Sequence, residues 1–209
     1  MILTGLAPDP RRPEYRLVEV DRGRFASLPA ADLVPLHLRV GAEIPPLVFE
    51  RLQELADLEA AHRAALRALA RRAHARFDLR RRLLQKQHPP GAVDGALERL
   101  SAVGLIDDAR FAVDYAAAKA RRGRGPARLV HDLQAQGIDR RIAEDAVHSS
   151  LAAEDVDPAH AVRALAEKRA RQLTGLPGPV RKRRLIAFLA RRGFRGADVR
   201  ALVETLGRA

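Results

Sequence analysis

The densest chemical pattern in this 209-residue chain is Arg121-Arg122-Gly123-Arg124-Gly125-Pro126-Ala127-Arg128. Four arginines surround two glycines and a proline that can open a helix. Backbone N–H groups at a helix start favour anions. Arginine forks can hold phosphate or carboxylate in a bidentate manner. The same residues also fit a solvated loop whose glycines serve only the turn, and both readings stay open. Charge alone picks out a second tier: Arg80, Arg81 and Lys86, and the tract Arg181-Lys182-Arg183-Arg184. A cation run on a short helix is commonly a solvated face; it becomes a binding face when other basic helices lie beside it.

Patterns that would carry catalysis are missing. No Gly-Lys-Ser or Gly-Lys-Thr occurs, so there is no Walker A loop. Gly123-Arg124-Gly125 begins like a dinucleotide loop but lacks the third glycine and a preceding strand. None of the seven histidines forms a His-x-x-x-His pair, and Glu59-x-x-His62 stands alone where a bundle di-metal site needs two such pairs. Ser27, Ser101, Ser149 and Ser150 lack a Gly-x-Ser-x-Gly context. The chain has no cysteine, which excludes disulfides, thiol catalysis and Cys-based metal sites. The expectation is a binding protein with no catalytic residue, cofactor or metal.

Composition points to the kind of partner. The net charge is +12, and 34 of the 38 cations are arginine. Residues 1–58 carry −2, residues 59–106 +6, residues 107–153 +1 and residues 154–209 +7. An excess of this size points to a polyanion, nucleic acid or an acidic protein surface. A coding bias toward arginine is the competing explanation, although it would not make the first quarter acidic. There is no apolar run of the ~20 residues that a membrane span needs. The start, Met1-Ile2-Leu3-Thr4-Gly5, lacks the basic-then-apolar pattern of a signal peptide. A soluble, cytoplasmic, monomeric protein is expected.

The elements that must position these cations are mostly helices. Residues 1–46 form the exception. Tyr15–Val20 alternates and is β-branched, Asp21-Arg22-Gly23 is a turn, and Arg24–Leu28 is the expected hairpin partner. Leu33–Leu38 is ambiguous because Pro35 argues against a central strand. From Leu47 a helical period runs to about Arg72 and predicts a helix of roughly 25 residues. Shorter helices follow: Leu79–Lys86; Gly91–Val103 with Gly104 as its stop; one capped by Asp107 or Asp108; one opened by Pro126 and stopped by Gly137; one capped by Asp139. Asp157-Pro158 reads as another start, Val180–Arg192 is stopped by Gly193, and Ala197–Leu206 is stopped by Gly207. Phe111 and Tyr115, four residues apart, are expected to pack a core.

The pattern repeats. With Leu84, Leu133 and Leu189 aligned, Leu97, Ala146 and Leu202 stand thirteen residues on, and Gly137 and Gly193 follow the last two anchors by four. The expected architecture is mainly α: three tandem three-helix units in an elongated array, preceded by a small β-hairpin module and a long linking helix. The boundaries are 1–46 for the N-terminal module, 47–106 for the linking helix and first unit, 107–153 for the second unit and 154–209 for the third.

The middle of the chain resembles the RecX family, regulatory proteins that modulate the RecA recombinase. The resemblance rests on Gly104-Leu-Ile-Asp107-Asp108-Ala-Arg110-Phe111-Ala-Val-Asp-Tyr115, on the turn Arg122-Gly123-Arg124-Gly125-Pro126-Ala-Arg128, and on Leu133-Gln-Ala-Gln-Gly137-Ile138. Arg71-Arg72 before Leu79-Arg80-Arg81-Arg82-Leu83 looks like the family's basic second helix, and the similarity extends from about Tyr15 onward. Two positions depart from the pattern. Ala75 and Asp78 stand where members often carry the Ser and Glu of a capping box, and Gln87-His88 replaces a helix-ending glycine.

The resemblance implies a non-enzymatic protein that binds RecA and the RecA–DNA filament and inhibits its ATPase, strand-exchange and co-protease activities. Contact with DNA would be weak and non-specific. Arg121, Arg122, Arg124 and Arg128 are the first candidates for contact. The alternatives are a stand-alone DNA-binding protein of tandem helical modules, and a scaffold whose arginines only keep it soluble. Aromatics at 4% argue against base-stacking platforms.

Overall fold

A computed structural model describes residues 1–153 and 158–208. The chain divides into two compact units, one of residues 1–74 and 79–106, the other of residues 75–78 and 107–209.

The first unit begins with a three-stranded antiparallel sheet in the order β1 (Leu3–Asp9), β2 (Arg12–Val20), β3 (Gly23–Pro29). The β2–β3 hairpin turns at Asp21 and Arg22, both at positive φ, which suits the twist of a tight hairpin. The expected two-stranded hairpin is therefore a three-stranded sheet. The sequence hid β1 because Gly5 and Pro8 are poor strand residues, and register shifts fall beside both of them. Ala30–Leu33 forms a short helix α1, followed by a 3₁₀ turn at Val34–Leu36, which resolves the ambiguous stretch around Pro35.

The long helix α2 spans Pro46–Leu69 and serves two cores. Leu52 and Leu55 pack with Leu3, Val18 and Leu28 of the sheet. Further along, Ala61, Ala64 and Ala65 pack with Leu79 and Leu83 of α3 (Arg76–Gln85) and with Val93, Ala96, Leu97 and Leu100 of α4 (Pro90–Ala102). Small residues let α4 approach closely: a Cβ on Gly95 would stand 3.1 Å from Leu58 Cδ1. Between the two cores, the buried Glu59 carboxylate accepts a 2.9 Å hydrogen bond from Arg12 Nη1, with Arg63 Nε at 3.7 Å. This pair ties β2 to α2, since a buried carboxylate without its partner is strongly destabilising.

Among its described residues the second unit holds the helices α5 (Asp108–Ala120), α6 (Pro126–Gln134), α7 (Arg140–Ala153), α8 (Pro158–Arg171), α9 (Gly178–Arg191) and α10 (Ala197–Arg208). α5–α7 share a core of Phe111, Ala112, Ala116, Leu129, Leu133, Ile138, Ala143 and Val147. α8–α10 share one of Val162, Ala166, Leu185, Leu189, Phe194 and Val203. The expected cap at Asp157 lies outside the described residues. Gly207 does not stop the last helix, which runs through it to Arg208.

One helix ending recurs and corrects the repeat alignment. Gly137 and Gly193 are left-handed, and the next N–H (Ile138, Phe194) reaches back to the carbonyl of Leu133 and Leu189 respectively. This six-to-one closure satisfies a carbonyl the helix leaves open. In the first copy the left-handed residue is Gln87, at φ 65°, and His88 N–H donates to Leu83 O at 3.3 Å. The equivalent anchor is therefore Leu83, which is buried, and not Leu84. Gly104 ends α4 in the same way, with Leu105 N–H on Leu100 O.

Candidate partner-binding site

The Asp107–Tyr115 segment opens α5, the helix that leads into the basic loop. Asp107 caps α5, its carboxylate accepting from Arg110 N–H at 2.9 Å. Asp108 accepts from Arg76 N–H at 2.8 Å. The capping oxygen that Ala75 cannot supply to α3 thus comes from Asp108. Phe111 is buried and Tyr115 half-buried, their rings 6.0 Å apart, and Arg110 is exposed. Burial, and then the nearby Asp132 carboxylate, push the Tyr115 hydroxyl above its usual pKa.

The basic loop after α5 has two separable parts. Its glycines are used for close packing. Gly123, at φ 76°, ends α5, with Arg124 N–H returning to Lys119 O. Gly125 N–H donates to Arg192 O at 2.6 Å, across to the turn that ends α9. A Cβ on Gly125 would lie 2.7 Å from the Gly193 carbonyl carbon, and one on Gly193 would lie 2.3 Å from Arg128 N. Two backbones therefore meet where only glycine fits. Arg192 completes the junction, its guanidinium 4.8 Å from the Phe188 ring centre and Nη1 3.4 Å from Gly123 O. This changes the anion-cradle reading of the α6 start. Pro126 has no N–H, and the Gly125 N–H is already bonded to a carbonyl.

The loop's arginines are what remain for a partner. Arg124 and Arg128 both pair with Asp132, Arg128 Nε at 2.9 Å, and Arg124 also donates to the Tyr115 hydroxyl at 3.3 Å. One carboxylate, Asp132, thus holds two guanidinium groups and leaves a net positive charge. Their outer faces line a cleft of about 630 Å³ together with His131, Arg191 and Arg195. Four arginines from α6, α9 and their flanking turns thus converge on one opening. The other two first-tier candidates, Arg121 and Arg122, are exposed but do not line it.

The second-tier cations are dispersed. Arg80 makes a fork to Asp94, Nε to Oδ1 at 2.6 Å and Nη2 to Oδ2 at 3.0 Å, linking α3 to α4. Arg81 is exposed, and Lys86 lines a separate cleft in the first unit. Lys182 pairs with Glu204 of α10, while Arg183 and Arg184 are exposed and Arg181 is half-buried. Arg191 and Arg195 were outside the candidate set. The signal for Arg191 was charge, since it is half of the Arg191-Arg192 pair before the helix stop Gly193. Among the described residues there is no group of three or more His, Asp or Glu that could hold a metal, and no helix long and apolar enough to cross a membrane.

Comparison with known proteins agrees with this architecture. Models of the first, second and third three-helix domains of RecX match residues 61–100, 107–147 and 155–203. A regulatory protein RecX of Halorhodospira halophila is 38% identical over 144 residues, 68% of this chain and 86% of that protein. The regulatory protein RecX of Mycobacterium ulcerans is 37% identical over 157 residues, 72% of this chain and 84% of that protein. A crystal structure of a regulatory protein RecX superposes with a TM-score of 0.74, covering 100% of this chain and 99% of the other at 18% identity. That of RecX from Lactobacillus salivarius gives 0.61, covering 73% of this chain and 98% of the other at 22% identity. The middle-unit motif, the three helical domains and these relatives agree: the chain belongs to the RecX family of regulatory proteins.

Proposed function

We propose that this chain binds RecA and the RecA–DNA filament and restrains RecA's ATPase, strand-exchange and co-protease activities. Family membership supplies the partner. The observation that carries the reading is the junction cleft, where Arg124, Arg128, Arg191 and Arg195 converge without a catalytic constellation beside them. Guanidinium groups held this way suit carboxylate or phosphate, the two anions a protein–DNA filament offers. The linking helix with the first three-helix unit (47–106), the second unit (107–153) and the third (154–209) act together on the filament as a monomer in the cytoplasm.

The test adds the protein to RecA filaments on single-stranded DNA and follows ATP hydrolysis. Hydrolysis is expected to fall as the protein is titrated, and an unchanged rate at several-fold excess over RecA refutes the proposal. Charge reversal of the 121–128 cluster should weaken the effect. DNA affinity measured without RecA across salt separates this reading from a stand-alone DNA-binding protein. Weak, steeply salt-dependent binding fits the proposal, and tight sequence-specific binding fits the alternative.

A further inference from the structure

The junction cleft does not end at its arginines. Ala127, Gly193 and Arg195 line it and also line a larger cleft of about 760 Å³ in the same second unit. Ala159, Val162 and Arg163 of α8 form part of this second wall, and Val199, Ala201, Leu202 and Thr205 of α10 form another part. Pro126, in the first turn of α6, and Phe194, after the α9 stop, add to the lining.

The lining is mostly apolar, and part of it belongs to the α8–α10 core. Val162 and Phe194 are each 8% exposed, with Val199 and Leu202 packed against them. The positions nearer solvent are small: Ala159 and Ala201 are both exposed. Longer apolar side chains there would bury more surface and fill the space, which folding alone favours. An apolar concavity with a few charged groups at its edge is instead the form of a binding pocket, and this one lies within the ~300–1,000 Å³ usual for such pockets.

The two clefts make different demands, and one occupant must meet both. The larger cleft takes an apolar group. Arg163 and Arg195 line it, and Arg124, Arg128 and Arg191 continue the positive charge beyond the shared residues. Asp198 is the acidic residue in these linings, and it stands in the first turn of α10, where a helix start favours a carboxylate. Nucleic acid would satisfy the arginines but brings no aliphatic anchor, and its bases need exposed aromatic faces to stack on; the aromatic here, Phe194, is buried. A fatty acid or phospholipid brings the apolar part but a single anionic head for several arginines. A run of carboxylates around a Leu or Phe meets both demands, because such anchors in pockets dominate protein–protein binding energy and guanidinium forks hold carboxylates. We infer that the two clefts form one groove for an acidic protein segment with a large apolar anchor. The anchor enters between α8 and α10, and neighbouring carboxylates meet Arg195 and Arg191. This inference rests on the reading that the junction cleft is where the partner binds, and it selects carboxylate over phosphate as the group those arginines hold.

The experiment measures fluorescence anisotropy of a labelled peptide, Glu-Glu-Asp-Phe-Leu-Glu-Asp-Glu, titrated with the full chain and with neither RecA nor DNA present. The same peptide with Ser-Ser in place of Phe-Leu keeps the charge and removes the anchor. It should bind at least about tenfold more weakly, the size of effect that burying one large apolar side chain gives. Ala201→Lys adds a positive charge but lays a long side chain over the apolar cleft, so it should weaken binding of the anchored peptide; attraction by charge alone would strengthen it. Thr205→Lys, one turn further along the exposed face of α10, should act in the same direction. R191Q/R195Q should weaken binding by about 2- to 30-fold, and R24Q/R39Q, which removes equal charge from the N-terminal module, should change nothing. Circular dichroism checks that each variant is folded, as expected for exposed positions. The inference is overturned if the wild type does not bind the anchored peptide up to about 1 mM, or if the two peptides bind alike. It is equally overturned if both lysine variants bind the anchored peptide as tightly as the wild type or more tightly, or if R191Q/R195Q binds no more weakly than R24Q/R39Q. Displacement of the peptide by oleate at lower concentration than by unlabelled peptide would mark a fatty-acid site, and weaker binding of a labelled oligo(dT) strand to Ala201→Lys would mark a nucleic-acid site; either overturns it. Loss of peptide binding with suppression of RecA's ATPase intact would remove this inference and leave the RecA reading standing, whereas peptide binding without that suppression would do the reverse.

Discussion

Gly125→Ala tests why glycine stands inside the basic loop. The new Cβ would sit 2.7 Å from the Gly193 carbonyl carbon, 2.8 Å from its oxygen and 2.9 Å from Phe194 Cδ1. Ordinary contact begins near 3.4 Å, so the segments must part by about 0.7 Å. Both sides of the clash include backbone, and no flexible side-chain tip can absorb it. Overpacking of this kind costs about 1–3 kcal/mol. The same movement stretches the 2.6 Å bond from Gly125 N–H to Arg192 O, with a net loss of about 0.5–1.5 kcal/mol. Together the junction should lose about 2–4 kcal/mol. Hydrogen exchange read by mass spectrometry localises the effect. Amides of α6 and α9 should lose protection by roughly 30- to 1,000-fold, at a factor of ten per ~1.4 kcal/mol, while those of β1–β3 should not change. Gly91→Ala is the control, because a Cβ there meets nothing within 4 Å. If Gly125→Ala exchanges like Gly91→Ala across α6 and α9, the junction is not sterically tight and the reasoning fails.

Three further outcomes follow from local geometry. Gln87 is a non-glycine residue held at φ 65°, a conformation costing roughly 1–2 kcal/mol for an L side chain. Gln87→Gly should therefore stabilise the first unit by about 1 kcal/mol, read as a higher urea midpoint, and a lower midpoint would refute this account of the helix end. Asp107→Ala removes the α5 cap and should cost ~1 kcal/mol, visible as faster exchange in the first turn of α5; unchanged exchange there would show the cap is idle. His62 is held below its usual pKa, chiefly by burial. A depressed folded value means stability is fully present above the unfolded value of about 6.5 and declines as pH falls below it. The melting temperature should drop between about pH 7.5 and pH 5, and His62→Gln should flatten that part of the curve; a curve no flatter in the variant would remove His62 as the cause.

Local signals were legible in the sequence because their causes are local. Asp107 before a helical period, Pro126 at a helix start and glycines at 104, 137 and 193 each act within one turn of chain, and each appears where the sequence puts it. The strand β1 was not legible because Gly5 and Pro8 break the β pattern that its pairing with β2 overrides. The first copy of the repeat was misaligned by one residue because Gln87 does a glycine's work without a glycine's signature. The candidate site was legible only in half. Arg124 and Arg128 are marked by the glycines beside them, but those glycines turn out to seat α6 against the turn after α9. That contact, more than sixty residues away in sequence, brings Arg191 and Arg195 into the cleft, and no short window contains it. Charge alone was a poor guide: Arg80 is occupied by Asp94 and Lys182 by Glu204.

The central claim is that the junction cleft engages the RecA–DNA filament. Arg191 and Arg195 test it more cleanly than Arg124 and Arg128, whose removal would strand the mostly buried Asp132. The decisive measurement is RecA ATP hydrolysis on single-stranded DNA titrated with the wild-type chain and with R191E/R195E, after confirming equal folding by circular dichroism. The account predicts that the wild type suppresses hydrolysis and that the variant needs at least about tenfold more protein for the same effect, a loss of ~1.4 kcal/mol or more in binding. Superimposable titrations of the two proteins would contradict it.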